Sequence, residues 1–149
     1  MTSIEKTLAI IVRYLRPYSK KLQVAGSIRR RQPHPHDIDI VLIPRDWNKI
    51  KQIFQKKTKP RILGDDIVSG WYKGVQIDVF RAEPSYWGAM LMHATGPQGA
   101  SIGLRIIARK KGMKLNQYGL WKGKKRIAGR TERSIYRALG KKYKEPYLR

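Results

Sequence analysis

The stretch "GSIRRRQPHPHDIDI", from Gly26 to Ile40, ends in two aspartates that alternate with isoleucines. Alternation is the pattern of a β-strand, in which successive side chains point to opposite faces. Asp37 and Asp39 therefore share one face, while Ile38 and Ile40 face a core. Two neighbouring carboxylates repel each other, and a hard divalent cation such as Mg²⁺ relieves that repulsion because it prefers oxygen ligands. A solvated strand face is the alternative for these three residues taken alone.

The residues before the aspartates favour the metal site. Gly26 and Ser27 close the predicted strand "LQVAG" and open a short helical segment, whose N–H groups and serine hydroxyl suit phosphate oxygens. Arg29, Arg30 and Arg31 add forked cations suited to a triphosphate, although a basic run can also be a solvated face.

A third carboxylate completes the predicted site. Asp78 lies in "VQIDVF", a second predicted strand that can lie beside the first. Three carboxylates are enough to hold two bridged metal ions. We therefore expect Asp37, Asp39 and Asp78 to converge.

The composition points to a polyanionic partner. The 149 residues include 33 Lys and Arg against 10 Asp and Glu, a formal net charge of +23. Such a charge favours nucleic acid, with an anionic membrane surface as the weaker alternative. The chain has no cysteine, which excludes disulfides and thiolate metal sites. We expect a monomer in the cytoplasm or nucleus, of cellular or viral origin, with no membrane association.

The first half of the chain predicts two longer helices and several strands. A capping box, "TSIE", precedes an apolar stripe of helical spacing that ends near Pro17. A further helix is indicated by "DWNKIKQIFQKK". The segment "RILGDDIVSGWYKGVQIDVFRA" is typical of antiparallel strands separated at Gly70 and Gly74.

The character of the sequence changes near Glu83, and we expect two domains, residues 1–82 and 83–149. The second contains two helical segments broken at Gly96-Pro97, a hairpin made of "KLNQYGLW" and "RIAG", and a last helix capped by Thr131. Antiparallel strands with segregated helices indicate an α+β fold rather than regular βαβ winding.

Three motifs, "VAGSIRR", "HDIDI" and "QIDVF", together resemble the two-metal site of the nucleotidyltransferase superfamily. The second half narrows the resemblance, because "HATGP", "LRIIARKKGMKLNQYGLW" and "IYRALGKKYKEPYLR" are similar to family X DNA polymerases such as polymerase beta. The similarity spans nearly the whole chain and is greatest to the minimal members of the family. It implies a nucleotidyltransferase palm, with a mixed or antiparallel sheet and helices, followed by a small α+β C-terminal domain.

The resemblance also implies roles for individual residues. Asp37 and Asp39 would bind two Mg²⁺ ions, with Mn²⁺ as a substitute, and Asp78 would bind the catalytic ion beside the primer 3′-OH. The other implied site residues are the nucleotide-binding Gly26, Ser27, Arg30, His93 and Gly96, and the DNA- or template-binding Arg105, Asn116 and Tyr118.

The implied function is DNA-directed addition of dNTPs to a primer, on gapped or nicked duplex DNA in repair. His93 and Ala94 stand where polymerase beta has two aromatic residues, which leaves selection against ribonucleotides open. Two other interpretations remain. A template-independent nucleotidyltransferase acting on RNA ends or another acceptor would keep the metal site. A catalytically inactive, basic nucleic-acid-binding protein would keep the fold and the charge.

Overall fold

The first helix of the computed structural model, which describes residues 2–149, begins with the predicted capping box. The Glu5 N–H donates to the Thr2 hydroxyl, and the Thr2 N–H donates to the Glu5 carboxylate. The helix ends at Leu15, where a short 3₁₀ turn containing Pro17 follows. Pro17 lacks a backbone N–H, so the helix stops where the sequence predicts.

A five-stranded mixed sheet with three helices forms the amino-terminal lobe. Its strand order is β1-β2-β5-β4-β3; β2 and β5 are parallel, and the other neighbouring pairs are antiparallel. Gly70 lies inside β4 rather than between strands, which corrects the predicted strand boundary. Its missing side chain allows close contact with Thr58, because a Cβ there would collide with the threonine hydroxyl. The elements are α1 Ser3–Leu15, β1 Ser19–Val24, α2 Gly26–Arg29, β2 Asp37–Pro44, α3 Trp47–Lys57, β3 Lys59–Leu63, β4 Ile67–Tyr72 and β5 Val75–Arg81.

One face of this sheet carries the core of the amino-terminal lobe. Ile38 and Ile40 of β2 are buried there together with Ile77 of β5, as the alternation predicts. Helices α1 and α3 cover this face with side chains that include Leu15 and Phe54. The aspartates consequently emerge on the opposite face.

The carboxy-terminal lobe combines three helices with a small antiparallel sheet. The predicted single hairpin is a three-stranded meander of order β6-β7-β8, because "KLNQYGLW" itself turns at Gln117 and Tyr118. The lobe has its own core, which includes Leu104, Leu120 and Ile135. The elements are α4 Trp87–Thr95, α5 Gln98–Lys110, β6 Lys114–Asn116, β7 Gly119–Lys122, β8 Lys125–Ala128 and α6 Glu132–Ala138.

Helix α4 joins the two lobes. Its residues Trp87, Met90 and Leu91 pack against Ala25 and Val41 on the acidic face of the larger sheet. This contact covers one end of that face and leaves the aspartates at the other end. The α+β class is thereby confirmed, whereas the domain boundary near residue 83 stays a prediction. The bond between α4 and α5, Gly96-Pro97, is cis.

No helix within residues 2–149 has the length and apolar character needed to cross a membrane.

Candidate active site

Strand register places Asp39 beside Asp78. The two are direct partners in the parallel pair β2–β5, and Asp37 is in register with Gln76 one step along the same face. Adjacent strands are about 4.8 Å apart, so these partners are close neighbours. The sequence analysis expected that the strand of Asp78 could lie beside the strand of Asp37 and Asp39, and the structure shows these two strands paired.

Two neutral residues that the sequence analysis missed bind Asp78. The buried Ser69 hydroxyl on β4 donates a short hydrogen bond to Asp78 Oδ1. The Gln76 amide donates to both carboxylate oxygens, at 3.2 and 3.3 Å. Gln76 could have been found from its spacing, because it lies two residues before Asp78 and shares its face. Ser69 could be found only once the register of β4 was known.

The carboxylates repel one another. Burial, followed by the charges of Asp78 and Asp37, raises the pKa of Asp39 to about 6, and Arg30 opposes the rise. Burial and the two neighbouring carboxylates both disfavour a charged Asp39, and a hard cation bound there would relieve the repulsion.

The donor set is therefore suited to Mg²⁺, although the three side chains do not form a closed cage. Within residues 2–149, no three histidine or acidic side chains surround one point closely enough to hold an ion. Asp37 is exposed, which gives its side chain room to turn towards Asp39 and Asp78.

Helix α2 lies against the carboxylates because Gly26 has no side chain. Gly26 has φ +61°, and a Cβ on it would collide with the Asp39 carboxylate. Ser27 follows, half-buried, in the single turn of α2. The predicted Gly-Ser turn and the aspartate strand are thus in direct contact.

Only one of the three consecutive arginines faces this site. Arg30 lies close enough to Asp39 to lower its pKa, and its Nη1 is 3.9 Å from where a side chain on Gly96 would begin. Its Nε is buried without a hydrogen-bond partner among residues 2–149. Arg31 leaves the helix with φ +58° and stacks on Tyr147, with 4.3 Å from the guanidinium carbon to the ring centre. Of the three arginines expected at a triphosphate, only Arg30 therefore lies at the carboxylates, because Arg29 also binds residues elsewhere.

Arg29 connects α2 to the carboxy-terminal lobe. Its guanidinium donates to both oxygens of Glu132, at 2.9 and 2.5 Å, and to the Thr95 hydroxyl at 2.8 Å. Arg149 donates to the same glutamate at 2.7 Å. Burial alone would raise the pKa of Glu132, but the two arginines outweigh it and hold that pKa below its usual value. We call Arg29, Thr95, Glu132 and Arg149 the interlobe ion cluster.

Three predicted residues, His93, Arg105 and Asn116, line a small pocket in the carboxy-terminal lobe. Ser101, which was not predicted as a site residue, also contributes to its wall. Arg105 Nη2 lies 3.4 Å from His93 Nδ1, and partial burial together with this charge lowers the pKa of His93. The side-chain Oδ1 of Asn116 already accepts hydrogen bonds from the Tyr118 N–H and the Trp121 indole N–H.

Tyr118 does not join that pocket. Its ring packs edge-to-face on Tyr86, with 5.2 Å between the ring centres, in the apolar cluster between the lobes. Its backbone carbonyl accepts a hydrogen bond from Arg126 at 2.8 Å. The structure therefore gives Tyr118 a packing position between the lobes, and its role in template binding stays a prediction.

Known proteins share this sequence pattern. The family model described as "DNA polymerase beta thumb" matches residues 90–149. Repair DNA polymerase X of African swine fever virus is 29% identical over 143 residues, which cover 88% of this chain and 82% of the viral protein. DNA polymerase IV of Saccharomyces cerevisiae is 35% identical over 71 residues, or 48% of this chain and 12% of the yeast protein.

The mixed sheet bearing the aspartates, joined to a lobe of the thumb type, defines a polymerase beta-like fold. The similarity to the viral polymerase runs through both lobes. The fold and these similarities together support assignment to the family X DNA polymerases, as the motifs predicted.

Proposed function

We propose that this enzyme is a repair polymerase that adds dNTPs to a DNA primer in a gapped or nicked duplex. The observation that carries the proposal is the register of Asp39 with Asp78, with Asp37 on the same face and α2 in contact with Asp39. Relatives named as a repair polymerase and a DNA polymerase support the same activity.

The reaction needs cations that this acidic face can hold. Asp37, Asp39 and Asp78 would bind two Mg²⁺ ions, or Mn²⁺ in their place. Bound there, such ions lower the pKa of an attacking hydroxyl and neutralise charge on a triphosphate. Ser69 and Gln76 hold the Asp78 carboxylate in one orientation while it serves as a ligand.

The remaining residues position the nucleotide and the template. Arg30 offers its guanidinium to phosphate oxygens next to Gly26 and Ser27, because it lies beside Asp39 with its Nη1 near Gly96. His93 and Arg105, with the neighbouring Gly96, form the side of the site contributed by the carboxy-terminal lobe. The chain's net charge of +23 supplies a sequence-independent grip on the DNA backbone.

Asp78→Asn tests the assignment. The change keeps the shape of the side chain but removes the charge of a proposed ligand, so single-nucleotide extension of a one-nucleotide-gapped primer should fall at least a thousandfold. DNA binding, measured by fluorescence anisotropy, should stay within threefold of the wild type. Extension by the variant at the wild-type rate would remove Asp78 from the site.

Asp65→Asn is the matched control, because Asp65 is an exposed aspartate whose one ion pair, with Lys51, is long at 3.7 Å. It should extend the primer like the wild type.

The same extension assay on a single-stranded acceptor tests template-independent transfer. Comparable rates with and without a template would favour a template-independent nucleotidyltransferase.

A further inference from the structure

Trp71 is an exposed aromatic residue on the acidic face of the larger sheet. Ser69 donates its hydrogen bond to Asp78, and residues two apart in a strand share a face, so Trp71 lies on the same side. Val68 and Tyr72, by contrast, belong to the core on the opposite side. Trp71 is 40% exposed, whereas Trp47 and Trp87 are 7% and 6% exposed. The indole of Trp71 is therefore accessible to a partner on this face.

The position of Trp71 relative to the carboxylates follows from the register. Gln76 is in register with Asp37 on one side and with Trp71 on the other, and Trp71 is in register with Lys59 on β3. Trp71 lies one strand away from Asp78 and two residues along it, about 8 Å between Cα atoms for standard strand spacings. A nucleic-acid strand whose 3′ end lies at Asp78 would therefore pass Trp71 one or two nucleotides earlier.

The chemistry around Trp71 suits a nucleic-acid strand. Cross-strand partners share a face, so the exposed Lys59 places an ammonium group beside the indole. Aromatic side chains next to cations bind single nucleic-acid strands, because rings stack on bases or sugars while cations hold phosphates. The positive charge of the whole chain favours the same partner.

The strand order identifies which nucleic-acid strand would lie there. Helix α2, with Arg30, follows β1, so the proposed triphosphate site lies on the β1 side of the carboxylates. Trp71 and Lys59 lie on the other side, on β4 and β3. Attacking and leaving oxygens of a phosphoryl transfer are in line on opposite sides of the phosphorus. The acceptor strand must therefore approach from the β4 side.

We propose that Trp71 and Lys59 form a docking platform for the acceptor strand, one or two nucleotides before its 3′ end. The indole packs against a base or sugar, and the Lys59 ammonium binds a backbone phosphate. The inference rests on the proposed function, because it uses the direction in which the primer reaches Asp78.

Photocrosslinking locates the strand independently of catalysis. The full chain would be bound to gapped DNA carrying 5-bromodeoxyuridine at one position, which is either among the last three primer nucleotides, in the template or in the downstream strand. We expect the peptide containing Trp71 to crosslink to the primer positions. Crosslinking of that peptide only to the template or the downstream strand would overturn the proposal, as would no crosslink to it in complexes shown to be bound.

Kinetics provide the second test. Trp71→Ala should raise the KM for gapped primer about tenfold while leaving kcat within twofold, because the platform binds the strand without touching the reacting atoms. Trp71→Phe keeps an aromatic ring and should restore most of the affinity. Ile127→Ala removes an apolar side chain of similar exposure, 39%, from the other lobe and should change neither constant.

A KM of Trp71→Ala equal to that of the wild type would contradict the platform. If the wild type crosslinks through Trp71 but extends no primer, the proposed polymerase activity fails while the platform stands. The two proposals can therefore fail separately.

Discussion

Arg29, Arg30 and Arg31 are consecutive, yet each has a different environment. Arg29 is the last residue of α2, Arg30 caps the helix, and Arg31 has φ +58°, so the three side chains point in different directions. Arg29 reaches Glu132, Arg30 faces Asp39, and Arg31 stacks on Tyr147. The three arginines look equivalent in the sequence, but in the structure only Arg30 lies next to the aspartates.

Arg30→Ala should therefore damage nucleotide binding more than Arg31→Ala. Loss of a charge-assisted hydrogen bond costs roughly 1.5–3 kcal/mol, so the KM for a dNTP should rise at least tenfold for Arg30→Ala. The KM of Arg31→Ala should stay within threefold of the wild type. Steady-state single-nucleotide extension measures both, and equal effects would mean that the arginines act as one cluster.

Sequence alone predicted the residues whose types are tied to the site chemistry. Asp37, Asp39 and Asp78 could be found because carboxylates stand out in a basic chain and alternate with apolar residues. Ser69 could not, since a neutral serine in a strand carries no signal until β4 is in register with β5. Glu132 follows the helix cap Thr131 and gives no further signal in the sequence, so only tertiary structure shows its arginine partners.

At the level of elements, the contact between α4 and α6 depends on one glycine. A Cβ on Gly88 would lie 2.2–2.5 Å from backbone atoms of Thr131 and Glu132. The Gly88 N–H also donates to the Arg130 carbonyl at 3.2 Å, so the two chains meet backbone to backbone. Neither backbone can move aside as a flexible side chain could.

Gly88→Ala should lower the free energy of unfolding by about 2–3 kcal/mol, because overpacking a tight contact forces the backbone to shift. Gly103→Ala is the matched change in α5, where a Cβ would meet nothing within 4 Å. It should raise stability by about 0.5–1 kcal/mol through helix propensity. Urea titrations followed by circular dichroism compare them, and a neutral Gly88→Ala would contradict the close contact.

Sequence patterns predicted most of the helices and strands, but they predicted few of the pairings between strands. Caps at Thr2 and Thr131 and the break at Pro17 mark helix ends that the structure confirms. The parallel pairing of β2 with β5 depends on contacts between distant segments, so periodicity left it as one possibility. The same limit explains Gly70, whose role is a tertiary contact with Thr58 rather than a turn.

For the molecule as a whole, the interlobe ion cluster joins segments far apart in the sequence. Glu132, 7% exposed, receives Arg29 from the amino-terminal lobe and Arg149 from the last residues of the chain. A buried carboxylate costs desolvation free energy, which two arginines offset only while all three groups are present. Removing one charge leaves the others buried and unpaired.

Glu132→Gln should therefore cost about 3 kcal/mol of unfolding free energy at pH 7. The pKa of Glu132 lies below its ordinary value of 4.5 in the folded state, so its contribution is complete above that pH and declines as the pH falls towards the folded-state pKa. The stability gap between wild type and variant should be constant from pH 6 to 8 and narrow below about 4.5.

The exposed Glu83→Gln serves as control and should shift stability by less than about 0.5 kcal/mol. Urea titrations across this pH range give the comparison. A gap for Glu132→Gln that does not narrow in acid would argue against an ionised, depressed Glu132.

The net charge of +23 makes DNA binding sensitive to salt. Each neutralised phosphate contributes about −0.9 to the slope of log affinity against log salt concentration, so about six contacts would lower affinity roughly a thousandfold between 50 and 200 mM KCl. Anisotropy titrations of gapped duplexes with different sequences should give the same steep slope. A slope shallower than about −2 would contradict backbone-dominated binding.

The parallel join between β2 and β5 also bears on the order of folding. The segment between β2 and β5 contains α3, β3 and β4, whereas β4 and β5 are joined by a tight turn. Non-local parallel pairing is intrinsically slow, because a long loop must close before its contacts form. We therefore expect the acidic centre to form late in folding, after the helices and the β4–β5 hairpin that surround it.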